Sequence, residues 1–505
     1  MDQTASHPAP LPRVSPASAV SATLPEQAPG ADLGPAPRPI VVDLDDTLLR
    51  TDTLLEVVLL MLRQRPWTLV LLPFWLLGGK AHLKRRIMEH VEADLSTLPV
   101  NEPLLRWLRE QHAAGVPLHL FSAADERIVR PLARHFGIFG YARGSDGTVN
   151  LSGARKLEAI RALVGERFAY VGDHLKDVVI WQACGAAVPV GDVARLRRAM
   201  GPGVEVVAVF EAPSPGPRTW IKALRLHQWA KNALLFVAAL LGGNVLGDLP
   251  LSALGFLSFG LLASATYLVN DMLDLAADRA HRSKRFRPLA SGALPLRQGV
   301  VAVPVLLILA GLPMLWMPVA FAEVALLYVA VTLAYSFHVK RVLMLDVITL
   351  AGLFTVRILA GIAALHHPVT PWLLAFSMFF FLSLACVKRH SECLVMAAEG
   401  TTSAPGRAYR PGDAPWLMAM GAASGFSAMS TFFIFLVGFG SPILLYPHPR
   451  WMWLVCIILG YWICRTWALA TRGEMNDDPV LFAVRDPLSL VLAGLIGVLM
   501  LLARY

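Results

Sequence analysis

The sequence predicts a multidomain protein: an N-terminal α/β domain with a helical cap, then an all-α membrane bundle of about nine transmembrane helices. Three observations lead there. The 505 residues exceed one ordinary domain. The apolar content of 55% and a mean hydropathy of +0.54 are membrane-protein values, yet the long apolar runs begin only near Trp229. Ahead of them, the buried-strand run Pro39-Ile40-Val41-Val42 leads directly into the acids Asp43, Asp45 and Asp46.

Residues 1–37 are rich in Pro, Ala and Ser and show no periodicity. Such a segment cannot bury enough apolar surface to offset the entropy of ordering, so a disordered tail is expected. It lacks the basic start and apolar core of a signal peptide. Residues 38–212 have soluble α/β composition, with a helical cap expected over about 51–115 and a linker or interfacial segment over 213–228. In the cap, Trp67–Gly79 is apolar but too short to span a bilayer, and Lys80, Lys84, Arg85 and Arg86 follow it. That pattern predicts an interfacial patch. A buried cap helix is the alternative.

Four motifs in the α/β part carry chemistry. Asp43-Leu44-Asp45-Asp46-Thr47 places a carboxylate just after a strand. There Asp43 can attack phosphorus, while Asp45 can protonate the leaving group and then activate water. A strand ending in Ser122 offers a hydroxyl for a phosphate oxygen, and Lys156 offers charge neutralisation. A further strand runs into Gly172-Asp173, with Asp177 one turn on, and the two acids suit Mg²⁺. The four motifs in this order resemble the haloacid dehalogenase (HAD) phosphohydrolase superfamily. The resemblance implies a Rossmann-like HAD fold, Asp43, Asp45, Ser122 and Lys156 as catalytic residues, and Mg²⁺ held by Asp43, Asp45, Asp173 and Asp177.

From residue 229 to 505, apolar runs near 230–247, 252–273, 299–316, 318–336, 344–364, 371–387, 416–439, 450–468 and 488–503 alternate with short polar loops. The loops holding Arg279–Arg297, Lys340–Arg341, Lys388–Arg410 and Arg465–Arg485 are basic, and those between them carry no Lys or Arg. The positive-inside rule then places the basic loops and the α/β domain in the cytoplasm and the C-terminus outside, in a multi-pass protein of a bacterial-type cell membrane. Net charge is +9, but it sits in these loops, which argues against a nucleic-acid partner. The five cysteines show no metal-type spacing and read as free thiols. Oligomeric state is not legible.

The densest signal is Asn270 to Gly292, NDMLDLAADRAHRSKRFRPLASG. Asn270, Asp274 and Asp278 recur every four residues and are expected on one helix face, with Asp271 beside them. Acids in an apolar run are costly and usually line a polar cavity. Their mutual repulsion calls for a cation, and hard oxygen ligands suit Mg²⁺, which usually brings phosphate. Arg279, His281, Lys284 and Arg287 follow as phosphate partners. A solvated charged loop is the plain alternative, but the acids precede the loop and keep helical spacing.

Other polar residues on the same expected membrane face are Lys231, Tyr335, Lys340, Asp346, Arg357, Lys388, Arg389, Glu392, Arg407, Tyr409 and Arg410. Arg357, inside an apolar run, wants a phosphate or carboxylate partner. Lys388 and Arg389 read either as a positive-inside anchor or as part of a second anion site with Arg407, Tyr409 and Arg410. Over about 220–505 the chain resembles the UbiA superfamily of intramembrane prenyltransferases. The Asn270–Asp278 segment is similar to its first metal motif, and Tyr335, Lys340 and Asp346 to its second conserved region. Lys284-Arg285-Phe286-Arg287-Pro288 and the KRxxE of Lys388–Glu392 most resemble the decaprenyl-phosphate phosphoribosyltransferase branch. Leu350 stands where a second acid after Asp346 would complete a DxxxD, which also favours that branch.

The resemblances imply a bifunctional enzyme with one Mg²⁺ at each site. It would transfer phosphoribose from phosphoribosyl pyrophosphate, a phosphorylated sugar donor, to a polyprenyl phosphate lipid, and the HAD domain would remove the 5-phosphate. Two alternatives stay open. One is prenyl transfer from a diphosphate to an aromatic or other acceptor; the other is a HAD domain that only binds lipid phosphates.

Overall fold

A computed structural model describes residues 38–92, 95–211, 214–242, 244–367, 371–401, 408–437, 446–475 and 479–504. The expected disordered tail lies outside them. The chain divides into two compact units. One comprises Met1–Ala223 together with Asp271–Val301, and the other Leu224–Asn270 together with Ala302–Tyr505.

The first unit is built on a parallel sheet. Its strands are β1 (Ile40–Val42), β2 (Leu118–Asp125), β3 (Tyr141–Ser145), β4 (Ala169–Gly172), β5 (Ala186–Gly191), β6 (Glu205–Val206) and β7 (Phe210–Glu211). The order is β3-β2-β1-β4-β5-β6, with β7 also on β5. β1 pairs in parallel with β2 (Val42 opposite Leu120) and with β4 (Val42 opposite Val171). Both faces are covered, as parallel sheets require. Ile40, Val42, Leu120 and Val171 pack on one side, and Val41, Phe121, Tyr170 and Trp181 on the other. The chain winds outward from β1 through β2 and β3, then returns to β4 on β1's other side. Ligands of open parallel sheets sit at such a switch point, beyond the strands' carboxyl ends.

The cap comprises α1 (Thr53–Gln64), α2 (Leu72–Leu77), α3 (Lys80–His90) and α4 (Glu102–Ala113). Asp52 starts α1 by accepting from the amides of Leu54 (2.9 Å) and Leu55 (3.2 Å). Pro66 follows its end, as expected where the residue before proline leaves the helical region. Trp67, Leu69, Val70, Phe74 and Leu77 are exposed, Leu77 by 86%, so this stretch is not a buried helix. The basic residues after it divide. Lys84 turns inward, donating to the carbonyl of Ala123 and to Asn150 Oδ1 (3.1 Å). Arg85 bonds Asp125 (3.1 Å).

Asp271–Val301 packs on α1. Arg279 grips Glu56 with both terminal nitrogens, at 2.5 and 3.1 Å. Arg63 donates to the carbonyl of Leu273 (3.1 Å), and Arg297 holds Asp52 (2.7 Å). Sequence periodicity alone does not announce these pairs, because the partners lie more than 200 residues apart.

Among the described residues, eight helices are long and apolar enough to cross a membrane. They are Val245–Leu273, Leu296–Met314, Val319–Phe337, Leu345–Leu365, Pro371–Ala398, Pro411–Val437, Arg450–Thr471 and Pro487–Arg504. The protein is therefore an integral membrane protein. The first expected span, near 230–247, is not one long helix: a 3-10 stretch Leu226–Leu235 leads into a seven-residue helix Phe236–Gly242. Glycine at 242, a poor helix former, stands at the end of the short helix.

Gly361 in Leu345–Leu365 meets this 3-10 stretch at close range. A methyl group there would lie 2.1 Å from the carbonyl oxygen of Leu235, a backbone atom that cannot rotate away. Gly361→Ala is expected to lower the stability of the detergent-solubilised protein by about 1–3 kcal/mol, read as a lower Tm.

Candidate functional site

At the carboxyl end of β1 the chain leaves the strand in a tight, irregular turn, Leu44–Leu48, with Asp46 at a left-handed φ of 52°. Asp43 receives the amide of Leu44 on one carboxylate oxygen (2.8 Å) and Lys156 on the other (2.7 Å). Lys156 comes from the helix Ala154–Val164 and also bonds the Tyr170 hydroxyl (2.9 Å). Tyr170 in turn donates to Asp177 (3.3 Å), and Asp173 accepts from Thr47 (3.1 Å). Ser122 is fully buried on β2, its oxygen accepting from the amide of Ala124 (3.0 Å).

Asp43, Asp173 and Asp177 offer carboxylate oxygens all within 4.8 Å of one another. Among the described residues no other three Asp, Glu, His or Cys side chains meet this way. Burial, then Asp43 and Asp46, hold the Asp173 carboxyl well above its usual range. Burial pushes Asp177 up to about 6, although Lys156 opposes the rise. Burial pulls the Lys156 ammonium down, but Asp43, Asp177 and Asp173 together keep it above its ordinary value. Asp173 and Asp177 resist ionisation, a strain that a divalent cation relieves, and the all-oxygen donor set of the three acids fits Mg²⁺. Gly172 makes room for them, since a methyl group there would lie 2.7 Å from Asp177 Oδ2.

Asp45, expected as a metal ligand as well as a catalytic acid, is not in this cluster. Its Oδ1 accepts from the amide of Thr53 at the start of α1 (2.9 Å). Burial, then Asp52, push its carboxyl up to about 7, which suits a proton donor near neutrality. Thr47, Tyr170 and Lys84 belong to the surroundings of this site, yet sequence reasoning gave them no role. Tyr170 and Thr47 flank the motifs that found their neighbours and were within reach. Lys84 looked like one more surface cation.

The second candidate site contradicts one sequence expectation. The helix Val245–Leu273 ends at Leu273, Asp274 has φ −101° and ψ 10°, and a new short helix Leu275–Ala280 begins. Asn270, Asp274 and Asp278 therefore do not share one continuous helix face. Asp271 and Asp278 converge instead, on a single nitrogen of Arg287, at 3.2 and 2.5 Å. That guanidinium nitrogen marks a point where two carboxylates hold a positive charge, which is the pattern a bridging Mg²⁺ requires. Asp274 lies 3.7 Å from Arg63. His281 uses its ring nitrogen on the amide of Ser283 (3.2 Å), and Lys284 starts the 3-10 turn Lys284–Phe286.

In the other unit, Lys340 is buried with its ammonium 3.5 Å from Asn270 Oδ1. Arg389 is 1% exposed and binds Asp346, itself fully buried, at 2.5 and 3.0 Å. Tyr335 donates to the same carboxylate (2.7 Å), and Glu392 takes another Arg389 nitrogen (2.7 Å). Tyr409 lies under the Arg389 guanidinium. Arg389 thus has its anion within the protein, and the expected phosphate-binding cluster does not present it. Lys388 is the preceding residue of Pro371–Ala398; Arg407 lies outside the described residues; Arg410 uses its amide on Asp413 (2.7 Å). Arg357 likewise finds neutral partners: Asn232 (3.0 Å), the carbonyl of Leu353 (2.5 Å) and Tyr328 (3.1 Å). Lys231 lies over the Phe354 ring.

Comparison with known proteins adds to this geometry. Residues 233–491 match the model of the UbiA prenyltransferase family. A Sinorhizobium fredii protein, y4nM, is 38% identical over 467 residues, covering 91% of this chain and 90% of that one. Decaprenyl-phosphate phosphoribosyltransferase of Mycobacterium tuberculosis is 38% identical over 180 residues, 34% of this chain and 59% of its own length. A solved UbiA homolog from Archaeoglobus fulgidus bound to GPP and Mg²⁺ aligns over 56% of this chain and 99% of its own, with 14% identity and a TM-score of 0.44.

Proposed function

The chain belongs to the UbiA prenyltransferase family, and from that premise we propose a membrane enzyme of two consecutive steps. The membrane domain transfers phosphoribose from phosphoribosyl pyrophosphate to a polyprenyl phosphate. The α/β domain, over residues 38–212, is a HAD-type phosphatase that removes the 5-phosphate of the product. Similarity to a decaprenyl-phosphate phosphoribosyltransferase supports the first step. The convergence of Asp43, Lys156, Asp173 and Asp177 at one sheet end is the observation that carries the second.

In the transfer, an oxygen of the lipid phosphate forms a bond to ribose C1 while the bond from C1 to pyrophosphate breaks. The nucleophile is already ionised and needs no general base. Asn270, Asp271, Asp274 and Asp278 are the residues that would hold Mg²⁺, and Arg279, His281, Lys284, Arg287 and Lys340 the ones that would neutralise phosphates. Lys231, Arg357, Lys388 and Arg410 complete the polar surroundings, with Tyr335, Asp346, Arg389, Glu392 and Tyr409 as the scaffold beneath.

In the hydrolysis, an Asp43 oxygen forms a bond to phosphorus as the ester oxygen leaves and takes a proton from Asp45. Asp45 then takes a proton from water, whose oxygen displaces Asp43 from phosphorus and releases phosphate. Lys156 and Ser122 stabilise the phosphoryl oxygens. Mg²⁺, when held by Asp43, Asp173 and Asp177, supplies charge neutralisation at the phosphoryl group. The basic loops support a cytoplasmic α/β domain and an outer C-terminus in a bacterial-type cell membrane.

Full-length protein in membranes, given labelled phosphoribosyl pyrophosphate or labelled prenyl diphosphate, separates the two donor classes. Label in the lipid phase from the first donor supports this reading, and label only from the second replaces it with prenyl transfer. Asp274→Ala is expected to lower transfer by about a hundredfold or more, while hydrolysis of a small phosphate ester persists. Transfer at near wild-type rate would remove Asp274 from the metal set.

A further inference from the structure

Arg297 is the second residue of Leu296–Met314, a helix long and apolar enough to cross a membrane. Its guanidinium nevertheless belongs to the surroundings of the α/β site. Two of its nitrogens lie on one oxygen of Asp52, at 3.0 and 2.7 Å, and one is 3.5 Å from Asp46. Asp46 is part of the turn that follows the nucleophile Asp43. Asp52 uses its other oxygen to start α1, whose first amide holds Asp45. A single bonded path thus runs from Arg297 through Asp52 and Thr53 to Asp45. Arg297 is also accessible, its side chain 52% exposed, so it can meet a ligand as well as its two acids.

We infer that Arg297 is a specificity-determining residue of the phosphatase site, recognising a second anionic group on the substrate, away from the phosphate being removed. This rests on the phosphatase reading above and names the substrate class for it: a phosphate monoester whose body carries a phosphodiester joined to a membrane lipid. Asp43, Lys156 and Ser122 already serve the phosphate being cleaved, so a further fixed cation at the rim serves a different anion. Its attachment favours a lipid-linked one. A residue at the second position of a membrane helix is tethered where the chain enters the apolar phase, and there a lipid's phosphodiester also resides. Arginine suits the task, since its planar donors contact a phosphate oxygen while other donors stay on a carboxylate.

The test uses full-length protein in membranes and follows release of inorganic phosphate from three probes sharing a 5-phosphate. They are ribose 5-phosphate, ribose 1,5-bisphosphate and a farnesylphosphoryl ribose 5-phosphate. Arg297→Ala should raise KM for the farnesylphosphoryl probe about tenfold to a hundredfold with kcat nearly unchanged, and change ribose 5-phosphate less than threefold. Arg297→Lys, which keeps the charge, should recover most of the loss. A KM effect on the bisphosphate equal to that on the farnesylphosphoryl probe keeps the second-anion site and rejects lipid selectivity. Equal loss on all three probes, or no loss on any, overturns the inference. If wild-type protein releases phosphate from none while transfer proceeds, the phosphatase reading fails and takes this one with it. Should Arg297→Ala fail to fold, Asp52→Asn retains the helix start and loosens Arg297, and the same KM split is expected in smaller measure.

Discussion

Asp43→Asn is expected to abolish phosphate release, by at least about a thousandfold, and to leave transfer intact. The amide keeps the size of the carboxylate and accepts from the amide of Leu44, so the turn has no reason to collapse. What it loses is the nucleophile and the ion pair with Lys156. Beryllofluoride, which imitates a phosphoryl group on an aspartate, should raise the Tm of wild-type protein in a Mg²⁺-dependent way and leave the variant unaffected. Retained hydrolysis by Asp43→Asn would move the nucleophile elsewhere.

Arg389→Ala is expected to cost about 3–5 kcal/mol of stability, visible as a low folded yield and a depressed Tm in detergent. Asp346 is fully buried and takes two Arg389 nitrogens, so truncation leaves a carboxylate answered, among the described residues, by the Tyr335 hydroxyl alone. Asp346→Leu combined with Arg389→Met should recover most of the loss, because a buried pair replaced by apolar residues of similar size is often neutral. The competing outcome is equally clear. If Arg389→Ala melts with the wild type and only its donor KM rises, Arg389 is a phosphate ligand rather than a scaffold.

The contrast between these two residues shows what could be read from the chain. Asp43 was legible because its chemistry is local: a strand, an acid at its end, another acid two residues on. The same holds for Asp173 and Asp177. Arg389 was legible as a polar residue in an apolar helix, but not its partner, which lies 43 residues away on another helix. Helical spacing from Asn270 to Asp278 read as one face, yet the break at Asp274 turned Asp271 and Asp278 toward Arg287 instead. Local spacing cannot report such a break, because the residues around it are ordinary helix formers. The first apolar run was read as one helix for a related reason. Hydropathy registers 230–247 as apolar but is blind to the 3-10 geometry and to the glycine that ends the short helix.

Residues 271–301 belong to the same compact unit as residues before 223, although forty-odd residues of the other unit intervene along the chain. Val57 and Leu60 of α1 line one cavity together with Met272 and Leu275, and Glu56 has its arginine in that segment. An N-terminal fragment ending near 212 would therefore present this lining and these carboxylates to water. In genetic terms, a gene cut at that apparent boundary encodes a first product that lacks residues 271–301 of its own compact unit.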